Sequence, residues 1–206
     1  MKHLPAHIKM EKLLIEVNAL PTKPRALIHS CCAPCSTHVL NTICDCFSVS
    51  VLFYNPNIFP NEEYQKRKSE QKRFIEILNR SDLSFYDIDS NHSDFLKAVK
   101  GYESEEEGGA RCGECFRLRI RETAKKASLM GFEYFGTTLS VSPMKNSDLI
   151  NKIGEEAERE FNVKWIPANF KKKDGYLKSI QLSKKYNLYR QNYCGCEFSF
   201  RGGDDA

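Results

Sequence analysis

Short apolar, β-branched runs alternate with longer amphipathic stretches, and the alternation predicts the elements. Met10, Leu13, Leu14 and Val17 recur at helical spacing over 9–18, and Pro21 to Pro24 end that helix. Ala26 to Ile28 reads as a buried first strand; Pro34 blocks its continuation, and Ser36 or Thr37 caps a helix to about Cys44. Ser48 to Phe53 is a second strand, followed by the turn-rich Tyr54-Asn55-Pro56-Asn57-Ile58-Phe59-Pro60. Asn61 is expected as the N-cap of a helix to Asn79. Its inner face is Phe74, Ile75, Ile77 and Leu78, and its outer face Lys66, Arg67, Lys68, Lys72 and Arg73. A third strand follows at Leu83 to Ile88 and a short helix at Ser93 to Val99. The acidic Glu103 to Gly109 reads as a flexible excursion. A helix from Arg111 to about Met130, with Gly131 as C-cap, precedes a strand at Phe132 to Leu139. A helix at Ser147 to Phe161 and a fifth strand at Val163 to Ile166 complete the order. Strand-helix repetition implies an α/β fold with about five parallel strands joined by right-handed crossovers.

At 206 residues and 41% hydrophobic, the chain can bury a core of its own. One α/β domain is expected over 1–206: an N-terminal helix in 1–23, a core in 24–168 and a basic C-terminal segment in 169–206, whose last residues, Gly202 to Ala206, read as frayed. The net charge of +4 permits a nucleic-acid partner without demanding one. No stretch approaches the ~20 apolar residues of a membrane span, and Met1 to Met10 lack a signal-peptide apolar region. A cytoplasmic protein with no membrane partner is the expectation.

In a reducing compartment nine cysteines point to metals or redox chemistry rather than structural disulfides. They come in groups: Cys31, Cys32 and Cys35; Cys44 and Cys46; Cys112 and Cys115; Cys194 and Cys196. The first group lies where the first strand ends and a helix begins, the edge at which open α/β sheets bind ligands and at which amides and the helix dipole stabilise thiolates. The plainer alternative is that Cys31 or Cys32 is a small buried apolar residue. Cys112 and Cys115, three apart at a helix start, fit a zinc half-site or a thioredoxin-like dithiol. Together with the first group they supply enough sulfur for an iron-sulfur cluster or a zinc ion. Cys194-Gly195-Cys196 would close a small, easily reduced ring suited to electron relay, or add ligands, or merely pack. Cys44 and Cys46 fall at the opposite sheet edge and receive no role. His29 reads as a hydrogen-bonded core residue.

The phosphate-binding loops G-x-x-x-x-G-K-[ST] and G-x-G-x-x-G are absent. The basic C-terminal third interleaves Lys171, Lys172, Lys173, Lys178, Lys184, Lys185 and Arg190 with Phe170, Tyr176, Tyr186, Tyr189 and Tyr193. Such cations and rings recognise unpaired RNA bases, although a charge run also suits a solvated helix face.

The blocks HSCCAPCST, YNPNI followed by EYQKR, RCGECFRLR, TTLSVSP, FKKKDGY and LSKKYNLYRQNYCGC closely resemble the QueH family of epoxyqueuosine reductases, from Pro24 to Ser199. The resemblance implies a HUP-like, Rossmann-related fold and reduction of the epoxide of epoxyqueuosine to an alkene in a tRNA anticodon loop. It also implies a 4Fe-4S cluster with an adjacent iron ion, no cobalamin, and an electron donor it does not identify. Carried over by position, Cys31, Cys32, Cys112 and Cys115 are the metal ligands. Cys35 completes the adjacent centre, and Cys194 and Cys196 are the redox pair. On this reading Arg111, Arg190, Lys171, Lys172 and Lys173 hold anticodon phosphates, while Asn55, Asn57 and Tyr193 contact the modified base. The family commonly has an aspartate ahead of FKKK where this chain has Asn169, so a proton-donating role there does not carry over. The rivals are a zinc-stabilised tRNA-binding module, an ATP-dependent tRNA-modifying enzyme and a thiol-disulfide oxidoreductase.

Overall fold

The computed structural model describes residues 4–88 and 90–199; the expected frayed end, Gly202 to Ala206, lies outside them. The elements run α1 (Ala6–Asn18), β1 (Arg25–His29), α2 (Ala33–Ile43), β2 (Ser48–Phe53), α3 (Asn61–Leu78), β3 (Leu83–Asp87) and α4 (His92–Ala98). They continue as α5 (Ala110–Leu129), β4 (Tyr134–Thr137), α6 (Ser147–Phe161), β5 (Lys164–Trp165) and α7 (Gly175–Lys185). The five strands form one parallel sheet in the order β3-β2-β1-β4-β5. The expected α/β fold is the one observed. The connections reverse direction between β1 and β4, and a Rossmann-type sheet opens its ligand crevice beyond the carboxyl ends of those strands.

Strand alternation feeds two cores. Ala26 and Ile28 of β1 join Val39, Leu40, Ile43 and Phe74 beneath α2 and α3, where Met10 and Val17 also dock α1. Leu27 faces the other way, with Phe135, onto Phe116, Ile120 and Ala124 of α5 and Ile150 and Ile153 of α6.

Four local expectations differ from the structure. Helix α2 begins at Ala33 rather than Ser36, because proline is favoured in a first helical turn, and Pro34 lies there with Cys32 as N-cap. Pro60, not Asn61, is the N-cap of α3, its carbonyl receiving Glu63 N and Tyr64 N. Arg67, expected outside, is 1% exposed, and Ile77, expected inside, is 42% exposed. The buried face of α3 is Tyr64, Arg67, Gln71, Phe74 and Ile75, and it packs partly against the C-terminal segment, where Arg67 finds carbonyl acceptors. The fourth strand is shorter than its apolar run, since Leu139–Val141 coil into a 3-10 turn, and the fifth is confined to Lys164–Trp165.

Candidate metal centre

Strand β1 delivers the first cysteines to the crevice. Ser30 N donates to Leu52 O, Asn55 Nδ2 donates to Ser30 O, and Ser36 Oγ donates to Cys32 O, so the loop is held from three sides. His29 is buried between Thr137 Oγ1 at 2.9 Å, Tyr54 O at 3.1 Å and Asn55 Oδ1 at 3.2 Å. Two acceptors facing Nε2 place the proton on that nitrogen, with Nδ1 accepting from Thr137. Burial lowers the His29 pKa to about 4, so it is the neutral core residue expected. Within this frame the sulfurs of Cys31, Cys32 and Cys35 lie within 4.8 Å of one another, close enough for one metal ion.

The other thiols lie on two further segments, and of these only Cys194 lines the cleft with the triad, Cys112 and Cys115 standing outside both the triad and the cleft lining. Cys112, in the first turn of α5, packs against the core that contains Cys31 and Cys32. Its sulfur accepts Gly108 N at 3.2 Å. Cys115 packs with Cys196, Phe95 and Val99. Cys194 joins Cys31 and Cys35 in lining a cleft of about 590 Å³. All of these cysteines are free thiols. Cys31 is held well below the ordinary thiol value by hydrogen bonds from Cys32 and Cys35. The same contact with Cys31 pushes Cys32 up to about 12, and burial pushes Cys115 up to about 12. A metal binds such thiols by displacing their protons.

The C-terminal segment is strapped across this mouth. Arg67 donates to Cys194 O at 3.0 Å and Tyr193 O at 3.4 Å, and its Nε pairs with Glu63. Phe59 N donates to Gly195 O at 2.8 Å, and Tyr193 Oη to Phe59 O at 2.7 Å. Gly195 has φ +119°, and a Cβ there would stand 2.8 Å from Arg67 Nη1, so only glycine fits between the two cysteines. Gln191 Nε2 donates to Cys32 Sγ at 3.1 Å.

Two cations complete the surroundings. Arg119 is 1% exposed, and its Nε donates to Cys115 O at 3.2 Å. Lys145 lines the cleft. Burial opposes the charge on each. Cys115, Cys194, Cys31 and Cys112 nevertheless hold Arg119, and Cys194, Cys31 and Cys35 hold Lys145, above their ordinary values.

Among the residues expected to contact substrate, Arg190 and Tyr193 line the cleft. The rest point elsewhere. Asn55 and Asn57 are buried, Asn55 being used by His29 and Ser30. Arg111 is buried too, its guanidinium donating to the carbonyls of Glu103 and Glu105. It anchors the acidic loop instead of facing solvent. Lys171 donates to Lys145 O, Lys173 pairs with Glu11, and Lys172 is exposed outside the cleft. Arg67, Arg119, Lys145 and Gln191 were not among the expected site residues. For Arg119 a signal existed: it stands four residues after Cys115 and seven after Cys112, on one helical face.

The donor set fits a thiolate-ligated centre. The sulfurs of Cys31, Cys32 and Cys35 converge, and neither the buried Arg119 nor the half-buried Lys145 has a carboxylate partner among the described residues. The sequence pattern described as "Epoxyqueuosine reductase QueH" matches residues 26–202. Proteins of that name from Staphylococcus epidermidis and Staphylococcus aureus are 40% and 38% identical over 182 and 195 residues, covering 86% and 92% of this chain and 76% and 81% of theirs. One from Thermotoga maritima is 39% identical over 176 residues, 84% of this chain and 88% of its own. A match running from β1 through the last described residue takes in all three cysteine-bearing segments of the mouth, and the chain belongs to the QueH family.

Proposed function

We propose that this protein reduces epoxyqueuosine to queuosine in the anticodon loop of tRNA, at an iron-sulfur site and without cobalamin. The observation that supports the reading is the Cys31, Cys32 and Cys35 triad, close enough for one metal and opening with Cys194 onto one cleft, in a chain whose relatives carry the name of that reductase. Epoxide deoxygenation consumes two electrons and two protons, and releases the oxygen as water while an alkene forms. Cys31, Cys32, Cys112 and Cys115 would hold a 4Fe-4S cluster and Cys35 would complete an adjacent iron site, together supplying one-electron transfer and Lewis acidity when bound.

The chain's own residues supply the setting. Cys194 faces the cleft and Cys196 backs it against Cys115. Their oxidation from dithiol to disulfide releases the two electrons and two protons that the reaction takes up, and an external donor must then reduce the pair. Tyr193 and Tyr176 offer ring faces, and Arg190, whose Nη2 donates to Tyr176 Oη at 3.2 Å, offers a fixed cation at the rim. These groups suit a splayed-out base and its phosphate. No helix among the described residues is long and apolar enough to cross a membrane.

The test is anaerobic. Protein reconstituted with iron and sulfide, given a chemical reductant and tRNA bearing epoxyqueuosine, is expected to yield queuosine, scored by nucleoside chromatography. Iron-loaded protein that leaves the epoxide intact would overturn the proposal. A colourless zinc protein that binds tRNA regardless of modification would favour the binding-module reading.

A further inference from the structure

A buried guanidinium cannot shed its proton, and charged side chains are almost never fully buried unless an anion accompanies them. Arg119 breaks that pattern as the protein's own groups stand. Among the described residues its Nε donates to the Cys115 carbonyl, its Nη2 is buried with no acceptor, and no carboxylate pairs with it. Lys145, on the loop before α6 and lining the cleft, likewise has no described carboxylate partner. Thiols accompany both cations: Arg119 is bonded to the backbone of Cys115 on the helix that also carries Cys112, and Lys145 lines the cleft with Cys31, Cys35 and Cys194.

We propose that Arg119 and Lys145 are the built-in counter-charge of an anionic thiolate-ligated iron centre, fixing its retention and raising its reduction potential. The inference rests on the metal site described under the proposed function. A 4Fe-4S core in its 2+ state bound by four thiolates carries two net negative charges, and reduction adds a third. Two fixed cations balance the first state and favour the second, because an uncompensated charge in a low-dielectric interior is costly. Arg119 is the stronger partner, being sealed from solvent, whereas Lys145 borders the open cleft and is screened. Neither touches substrate on this account; they are positioning residues that act through the centre.

The experiment uses full-length protein reconstituted anaerobically with iron and sulfide, and reads two quantities besides turnover. These are the midpoint potential by redox titration and the rate of iron loss to a chelator. Arg119→Met is expected to lower the potential and speed iron loss roughly tenfold to a hundredfold, the usual scale for groups that support metal ligands. Arg119→Lys, which keeps the charge, should recover most of both. Lys145→Gln should shift the potential in the same direction by less. Since Lys145 lies at the cleft surface, that variant decides the matter if Arg119→Met does not fold. Potential and iron retention unchanged in Lys145→Gln and in folded Arg119→Met would overturn the counter-charge assignment and leave the reductase reading standing. Wild-type protein that takes up no cluster defeats the reductase reading instead.

Discussion

The two ends of the sheet hold similar residues in opposite arrangements. At the amino end, Lys23 and Arg80 gather beside Cys44 and Cys46, and protein carboxylates satisfy both cations. Arg80 bonds Asp82 and Asp45, Lys23 bonds Asp82, and both donate to Cys44 O. At the carboxyl end, Arg119 is bonded to Cys115 O and Lys145 lines the cleft with Cys31, Cys35 and Cys194, and neither cation has a described carboxylate partner. Charge closed within the chain makes a staple, and charge left open makes a receptor for an anionic guest. The same contrast separates the cysteines. Burial pushes Cys44 up to about 12 with no second thiol contributing to the shift, whereas three sulfurs of the other end already share one metal-sized space.

The largest expected effect of breaking this contrast is at a proposed ligand. Cys112→Ala should abolish both the brown colour and turnover after reconstitution, with iron measured alongside activity; full iron content with full activity would remove Cys112 from the site. The strap comes next. Arg67→Met leaves Glu63 buried beside an apolar chain and releases the carbonyls of Tyr193 and Cys194. Removing one partner of a buried ion pair costs about 3 kcal/mol, read from urea unfolding. Because the strap holds Cys194 over the cleft, Arg67→Met should lose turnover while keeping its iron, the reverse order of loss from that at Cys112.

Much of this architecture is legible in the sequence, and the exceptions have physical causes. The strands stand out because apolar, β-branched runs end in turn residues, and the cysteine groups mark the mouth because a parallel sheet must deliver its carboxyl-end loops to one side. Arg67 is an exception because its charge suggests solvent while its period places it on the buried face. Tyr64, Arg67, Gln71 and Phe74 fall on one helical face, and burial follows the face rather than the side-chain type. Arg119 lies among Phe116, Ile120 and Thr123, equally buried, so its period also carried the signal. The Gln191 bond to Cys32 spans 159 positions and leaves no periodic trace. Asn55 and Asn57 look like base readers by type, yet the close approach of the β2 loop to β1 leaves them inside.

A smaller effect tests the amino end. Arg80 and Lys23 hold the Asp82 carboxyl well below the usual carboxylate range, with Arg80 contributing most. A carboxylate depressed by folding adds stability above its unfolded value of about 4, and that stability is lost as the pH falls through the lower folded value. Asp82→Asn should therefore cost about 1 kcal/mol or less at neutral pH, since the group is partly solvent-screened. The difference from wild type should shrink progressively in acid unfolding experiments as the pH falls below about 4. Iron content should not move.

The smallest effect is expected at Cys46, and it is the most direct check on the distinction between the two ends. Cys46 is half-buried, and burial, reinforced by Asp45, raises its thiol above the ordinary value, so little thiolate exists at neutral pH for a metal or an oxidant. Its neighbour Cys44 is sealed in the core beneath Lys23 and Arg80. Cys46→Ser should leave iron, sulfide, turnover and midpoint potential at wild-type values, and unfolding should shift by no more than about 0.5 kcal/mol, as for a surface substitution. A fall in iron content in Cys46→Ser would mean that the amino-end cysteines take part in metal handling, and the division between a closed staple and an open receptor would have to be redrawn.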